Sequence, residues 1–131
     1  MKTKDFYIHL GRLLYAVAKA DGNIQDEELT DLYKLVINEL KDEAIFGLKN
    51  EVDAYYTEFE FEALMDKDAD INEALNSFFV FIDEHGKSFT SPMKDITIRA
   101  ATQVAESYQG IVPEEQLILD KIQEKIKMLE N

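Results

Sequence analysis

The stretch Val17-Ala18-Lys19-Ala20-Asp21-Gly22-Asn23-Ile24-Gln25-Asp26-Glu27-Glu28-Leu29 decides how this chain folds. Its left half is the end of an amphipathic helix. Phe6, Leu10, Leu13, Leu14, Val17 and Ala18 recur at spacings of three and four, and Lys4, Asp5, Arg12 and Lys19 fall off that stripe. The spacing predicts a helix from about residue 4 to about residue 20. Asp21-Gly22-Asn23 stops it, because Gly and Asn tolerate the left-handed backbone of a helix C-terminus. The right half opens a second helix near Asp26. Three consecutive acids, Asp26, Glu27 and Glu28, complement the positive end of its dipole, and Leu29, Leu32, Leu35, Val36 and Leu40 supply its apolar face. Together the halves make a helical hairpin around a short loop.

The same pattern returns 87 residues later. Val104-Ala105 matches Val17-Ala18, Ile111 matches Ile24, Pro113 matches Asp26, Glu114-Glu115 matches Glu27-Glu28, and Leu119 and Ile122 match Leu32 and Leu35. Asp26 and Pro113 would each take the first helical position. Two pseudo-repeated hairpins packed together are the natural arrangement, although the match is short for a repeat.

Between the hairpins, residues 43–56 read as a helix with Ile45, Leu48, Val52 and Tyr55 on one side. Glu58-Phe59-Glu60-Phe61-Glu62 alternates with period two, as a strand would, but a lone strand has no partner, and Ala63-Leu64-Met65 continues in helix formers. A short separate helix is expected there. Asp68-Ala69-Asp70 reads as a loop and cap. Residues 71–85 form an apolar helix through Leu75, Phe78, Phe79 and Ile82, closed by Gly86. Ser91-Pro92 predicts the next start, with Ser91 as the cap and Pro92 in the first helical position. That helix runs through Ile96, Ile98, Ala101, Val104 and Ala105 to about Ser107. The last helix opens at Pro113 and carries Ile118, Ile122, Ile126 and Leu129. The expected fold is therefore all-α, a single domain over residues 1–131, built as one bundle of six to seven helices.

Composition narrows the function classes. Apolar residues make up 46% of the 131, enough for a real core. Fourteen Lys and Arg face 27 Asp and Glu, a net charge of −13. That balance argues against nucleic acid or an anionic membrane as partner and favours cations or basic protein surfaces. No cysteine is present, which excludes disulfides, thiolate metal sites and thiol chemistry. The longest apolar run, Phe78 to Ile82, is far too short to span a membrane. Met1-Lys2-Thr3-Lys4-Asp5 leads straight into an amphipathic helix without an apolar signal segment, so the cytoplasm is the expected compartment.

One motif points to chemistry. Asp21-Gly22-Asn23-Ile24 and Glu28 match positions five to eight and twelve of a calcium-binding EF-hand loop. The first half of that loop fails, because Val17 and Lys19 stand where positions one and three need oxygen ligands. What survives is a half-loop. Asp21 and Glu28 would direct two carboxylates toward one spot beside the carbonyl of Asn23, with Asp26 as a local third candidate. A hard divalent cation, Ca²⁺, Mg²⁺ or Mn²⁺, suits such oxygen donors. The same residues also read as a turn and cap. Gly22 serves the turn, Ile24 staples the loop to the next helix, and Glu28 folds back onto the amide of Gln25. The second hairpin has Tyr108 and Gln109 where Asp21 and Gly22 would be, and so lacks a matching carboxylate pair.

Residues Ala18 to Leu29 resemble the signature of the TerB-like family, which includes the tellurite-resistance protein TerB and the N-terminal region of a DnaJ-like membrane cochaperone. The family's hallmark is Ala-Asp-Gly, then Ile, then Glu between two helices, with a weaker echo that would fall here at Val104 to Glu115. The resemblance implies an all-helical, non-enzymatic domain, linked in some members to divalent metal and to stress-response complexes. Carried over, Asp21 and Glu28 would be the acidic pair of the motif.

Other candidates are weaker. His9 and His85 lack the Glu-x-x-His context of a di-iron bundle, since Phe6 and Ile82 occupy the positions three residues before them. His9, four residues after Asp5, is expected to pair with it at the surface, and His85 to end its helix. Gly86-Lys87-Ser88 mimics the tail of a phosphate loop, but Phe81 replaces the required first Gly. No nucleophile is nominated, so no enzyme is expected. The run from Glu51 to Glu73 holds nine carboxylates and a single cation, Lys67. Usually such a run is a solvated face. Alternatively it docks a basic protein partner through Glu51, Asp53, Glu58, Glu60 and Glu62, with Tyr55, Tyr56, Phe59 and Phe61 as anchors.

Overall fold

The computed structural model describes residues 1–41, 51–107 and 109–129, with the backbone alone at Glu51. It is an all-helical bundle with six α-helices and, among the described residues, no strand. The helices are α1 (Thr3–Lys19), α2 (Asp26–Leu35), α3 (Glu51–Asp66), α4 (Ile71–Glu84), α5 (Ser91–Glu106) and α6 (Pro113–Met128). A π-helical turn, Val36–Leu40, extends α2, and a 3-10 turn, Gly86–Ser88, follows α4.

The centre of the bundle is α1. The amphipathic stripe read from the sequence understates its burial. Tyr7, Gly11, Tyr15 and Ala16 are buried in addition to the six stripe residues, so Leu13 to Ala18 has no solvent face. Such a helix needs neighbours on every side. It packs most extensively on α3 and α4, and also on α5 and α6. The α1–α3 approach is set by one residue. A Cβ on Gly11 would lie 2.5 Å from the carbonyl oxygen of Thr57, so only glycine lets the two backbones come this close. The Thr57 hydroxyl then donates to the carbonyl of Tyr7 at 2.9 Å inside that contact. At the far end the Tyr15 hydroxyl donates to Ala69 O at 2.6 Å and ties α1 to the α3–α4 loop.

The region between the hairpins corrects the sequence reading. One continuous helix, α3, replaces the helix over 43–56 and the short helix after it; residues 43–50 of that expectation lie outside the described residues. In a helix, residues two apart point to nearly opposite sides. Phe61 therefore enters the core with no exposure, while Phe59 faces outward at 56%. Val52, expected on the buried side, is 77% exposed, and the inward stripe is Ala54, Thr57, Phe61 and Leu64. The start of α5 shifts by one residue. Thr90, not Ser91, is the cap, its hydroxyl accepting from Met93 N–H at 3.4 Å, and Pro92 takes the second helical position. Asp70 caps α4, as the loop reading anticipates. Among the described residues no helix is long and apolar enough to cross a membrane.

Candidate functional site

The half-loop is a turn that leads into a capped helix. Gly22 sits at φ +99°, in the left-handed region, and its N–H donates to Lys19 O at 2.8 Å. The exposed Asp21 folds over the turn, its Oδ1 accepting from Asn23 N–H at 3.1 Å. Gln25 is the N-cap of α2, and Glu28, the third helical residue, reaches back so that its Oε1 accepts from Gln25 N–H at 2.8 Å. Ile24 and Leu29, on either side of the cap at the two positions of a hydrophobic staple, each pack against the core edge. The capping reading of Glu28 is thus the observed geometry.

The second hairpin repeats it. Glu115, the third residue of α6, accepts from Val112 N–H at 3.0 Å. Gln109 and Gly110 carry the positive φ of its loop. Both capping glutamates are sealed off, Glu28 at 2% exposure and Glu115 at 3%. The charge of Glu115 also acts on Glu28. Burial pushes the Glu28 carboxyl up to about 7, against the lowering effect of the Gln25 amide, and Glu115, Asp21 and Glu27 repel it further. Burial raises Glu115 as well, with Asp21 and Glu114 adding to it. Most telling is the second oxygen of Glu28. Oε2 is buried and accepts no hydrogen bond from the described residues. A buried carboxylate oxygen without a donor is costly, and calls for a proton or a cation.

The structure therefore brings Asp21, Glu28 and Glu115 into one electrostatic neighbourhood. It separates Asp26, which is exposed and lines a shallow groove with Glu27, Thr30, Asp31, Lys34 and Ser107. Asn23 is exposed. Among the described residues no group of three His, Asp or Glu is drawn together closely enough to hold a metal ion. Sequence reading missed Glu115 as part of this site. The repeat register pairs Glu115 with Glu28, so the signal was present; only the absence of an acid at position 108 directed attention away from it.

The acidic residues of the 51–73 run are used unequally. Glu60 pairs with the Arg12 Nε at 3.1 Å, and the same guanidinium donates to Ser77 Oγ at 2.7 Å. Glu62 accepts from the Tyr33 hydroxyl at 2.8 Å. Asp53 and Glu58 are half-buried, and the side chain of Glu51 lies outside the described residues. His9 corrects its expectation. Its Nδ1 meets the backbone carbonyl of Asp5 at 2.7 Å rather than the carboxylate, and its ring stacks on Phe81 at 4.0 Å. His85 ends α4, as expected.

Comparison of the chain with family models, curated proteins and solved structures found no match. The resemblance to TerB-like proteins rests on the motif of residues 18–29 and its weaker echo at 104–115.

Proposed function

We propose that this is a non-enzymatic accessory domain of the cytoplasm that takes up a divalent cation, Ca²⁺, Mg²⁺ or Mn²⁺, where its two hairpins meet. The observation that carries the reading is the unpartnered Oε2 of Glu28, beside the charges of Glu115 and Asp21. Glu28 and Glu115 supply the inner carboxylates. Asp21 joins them by giving up its bond to the Asn23 amide, and the Asn23 carbonyl and water complete the shell. Asp26, on the outer side of α2, takes no part. Oxygen donors of this kind select hard cations. Because each inner glutamate spends one oxygen on a helix cap, the site is weak, and it responds to cation levels in the millimolar range. The TerB-like resemblance, with its stress-response setting, agrees with this reading.

An NMR titration with Ca²⁺, Mg²⁺ and Mn²⁺ tests it. Shifts, or Mn²⁺ broadening, should centre on residues 20–28 and 111–116 and weaken in both Asp21→Ala and Glu115→Gln. Silence in both hairpins at about 10 mM metal, beyond the weakest protein calcium sites, would remove the cation and leave two helix caps.

A further inference from the structure

The outer face of α3 carries a second feature, independent of the cation site. Large apolar side chains are exposed at six described positions. Of these, Ile37 and Val80 lie on separate elements, and Leu117 and Met128, both on α6, stand eleven residues apart with no aromatic neighbour between them; scattered residues of that kind are ordinary. The other two, Val52 and Phe59, share α3 and are seven residues apart, two turns along one face. Tyr56 and the exposed Ala63 continue the line at helical spacing, and Tyr55 flanks it. The rings are in contact. Tyr55 stacks on Phe59 at 6.5 Å, and Tyr56 meets Phe59 edge-on at 6.3 Å. The strip thus centres on the exposed Phe59 ring, flanked by the half-buried Tyr55 and Tyr56, on a helix whose opposite face already fills the core.

The helix that carries the strip has charges of one sign. The α3 segment contains six acids and no Lys or Arg. Glu60 is neutralised by Arg12. Glu58, Glu62 and Asp66, a row at i, i+4 and i+8, have no ion-pair partner among the described residues. The row raises the Tyr33 hydroxyl to about 12, first through its bond to Glu62 and then through burial and the charges of Glu62, Glu58 and Asp66. A cation already uses the strip from within the chain, since Lys4 Nζ stands 4.8 Å from the centre of the Tyr56 ring. A second copy of this chain fits poorly, because a self-complementary contact would set acid row against acid row on molecules that each carry −13.

We propose that the Val52–Tyr56–Phe59–Ala63 face of α3 docks a basic amphipathic helix of a partner protein. The partner's apolar side chains would cover Phe59 and Val52, and its Lys or Arg would lie along Glu58, Glu62 and Asp66. Aromatic anchors inside a charged rim are the usual division of labour in such an interface.

The probe is a synthetic amphipathic helix of Lys and Leu, set against a scrambled peptide of the same composition that has no apolar stripe. Both are titrated into the full chain at low and moderate salt. The amphipathic peptide should shift the resonances of residues 52–66 and bind at least tenfold more tightly than the scrambled one. Phe59→Ala should weaken it about tenfold or more. Asp66→Asn with Glu58→Gln should weaken it at low salt and flatten its salt dependence. Leu117→Ala, on α6, should change nothing. Equal binding of the two peptides, shifts centred away from α3, or an unchanged affinity in Phe59→Ala would each overturn the proposal. So would a concentration-dependent dimer of the free chain that Phe59→Ala abolishes, which would assign the face to a second copy.

Discussion

Glu28 and Gly11 hold positions where one atom decides the outcome. The carboxyl of Glu28 titrates at about 7 in the folded chain against 4.5 for an ordinary glutamate, so between those values the folded state holds a proton that the unfolded state has released. The associated stability is complete below about pH 4.5 and disappears as pH rises through about 7. Glu115, shifted in the same direction, adds to the trend. Urea melts at pH 5 and pH 8 should therefore show greater stability at pH 5. Glu28→Gln keeps an oxygen for the Gln25 amide but removes the charge. It should recover on the order of 1 kcal/mol at pH 8, with solvent screening already discounted, and flatten the pH profile; an unchanged profile would place the titrating group elsewhere. Gly11→Ala tests a different limit. The new methyl would collide with backbone, the Thr57 carbonyl at 2.5 Å, which cannot rotate away. A loss of about 1–3 kcal/mol is expected by urea denaturation.

The helices show what periodicity conveys and what it omits. Within Glu58-Phe59-Glu60-Phe61-Glu62 the two phenylalanines have opposite fates. Phe61→Ala should cost about 3–5 kcal/mol and Phe59→Ala less than about 0.5 kcal/mol, read from the same melts. Similar losses at both positions would mean that Phe59 is covered in solution. The start of α5 gives a finer test. Thr90→Ala should cost about 1 kcal/mol and Ser91→Ala only a few tenths, reversing the order that Ser-Pro suggests. The helix ends around both loops, the Gly22 turn, the Gln25–Glu28 cap and the Asp70 cap were all legible, because each depends on neighbours within four residues. The packing of α2, which lies on α5 rather than extensively on α1 as a hairpin partner would, was not. Nor was the orientation of α3. Alternating Glu and Phe satisfies a strand pattern, and only the path of α1 past Thr57 settles which ring turns inward. The charge of Glu115 on Glu28 was half legible: the repeat register aligns the two glutamates, but nothing local says that two segments 87 residues apart come within electrostatic reach.

Across the whole molecule, charge and topology set the terms. With a net charge of −13, long-range repulsion opposes folding at neutral pH. Raising salt from about 10 to about 200 mM should lift the melting temperature by roughly a few degrees, as screening shortens the reach of those charges. A melting temperature indifferent to salt would mean that the acids are compensated locally. The central place of α1 has a different kind of consequence. Every helix packed extensively on it, α3, α4, α5 and α6, comes later in the chain. On a ribosome adding about 5–20 residues per second, this most enclosed helix emerges ahead of the helices that shelter it and waits several seconds for them. During that interval the residues of α1 that end up buried face water, so the folding of this chain is gated by the arrival of α6 and not by the formation of α1.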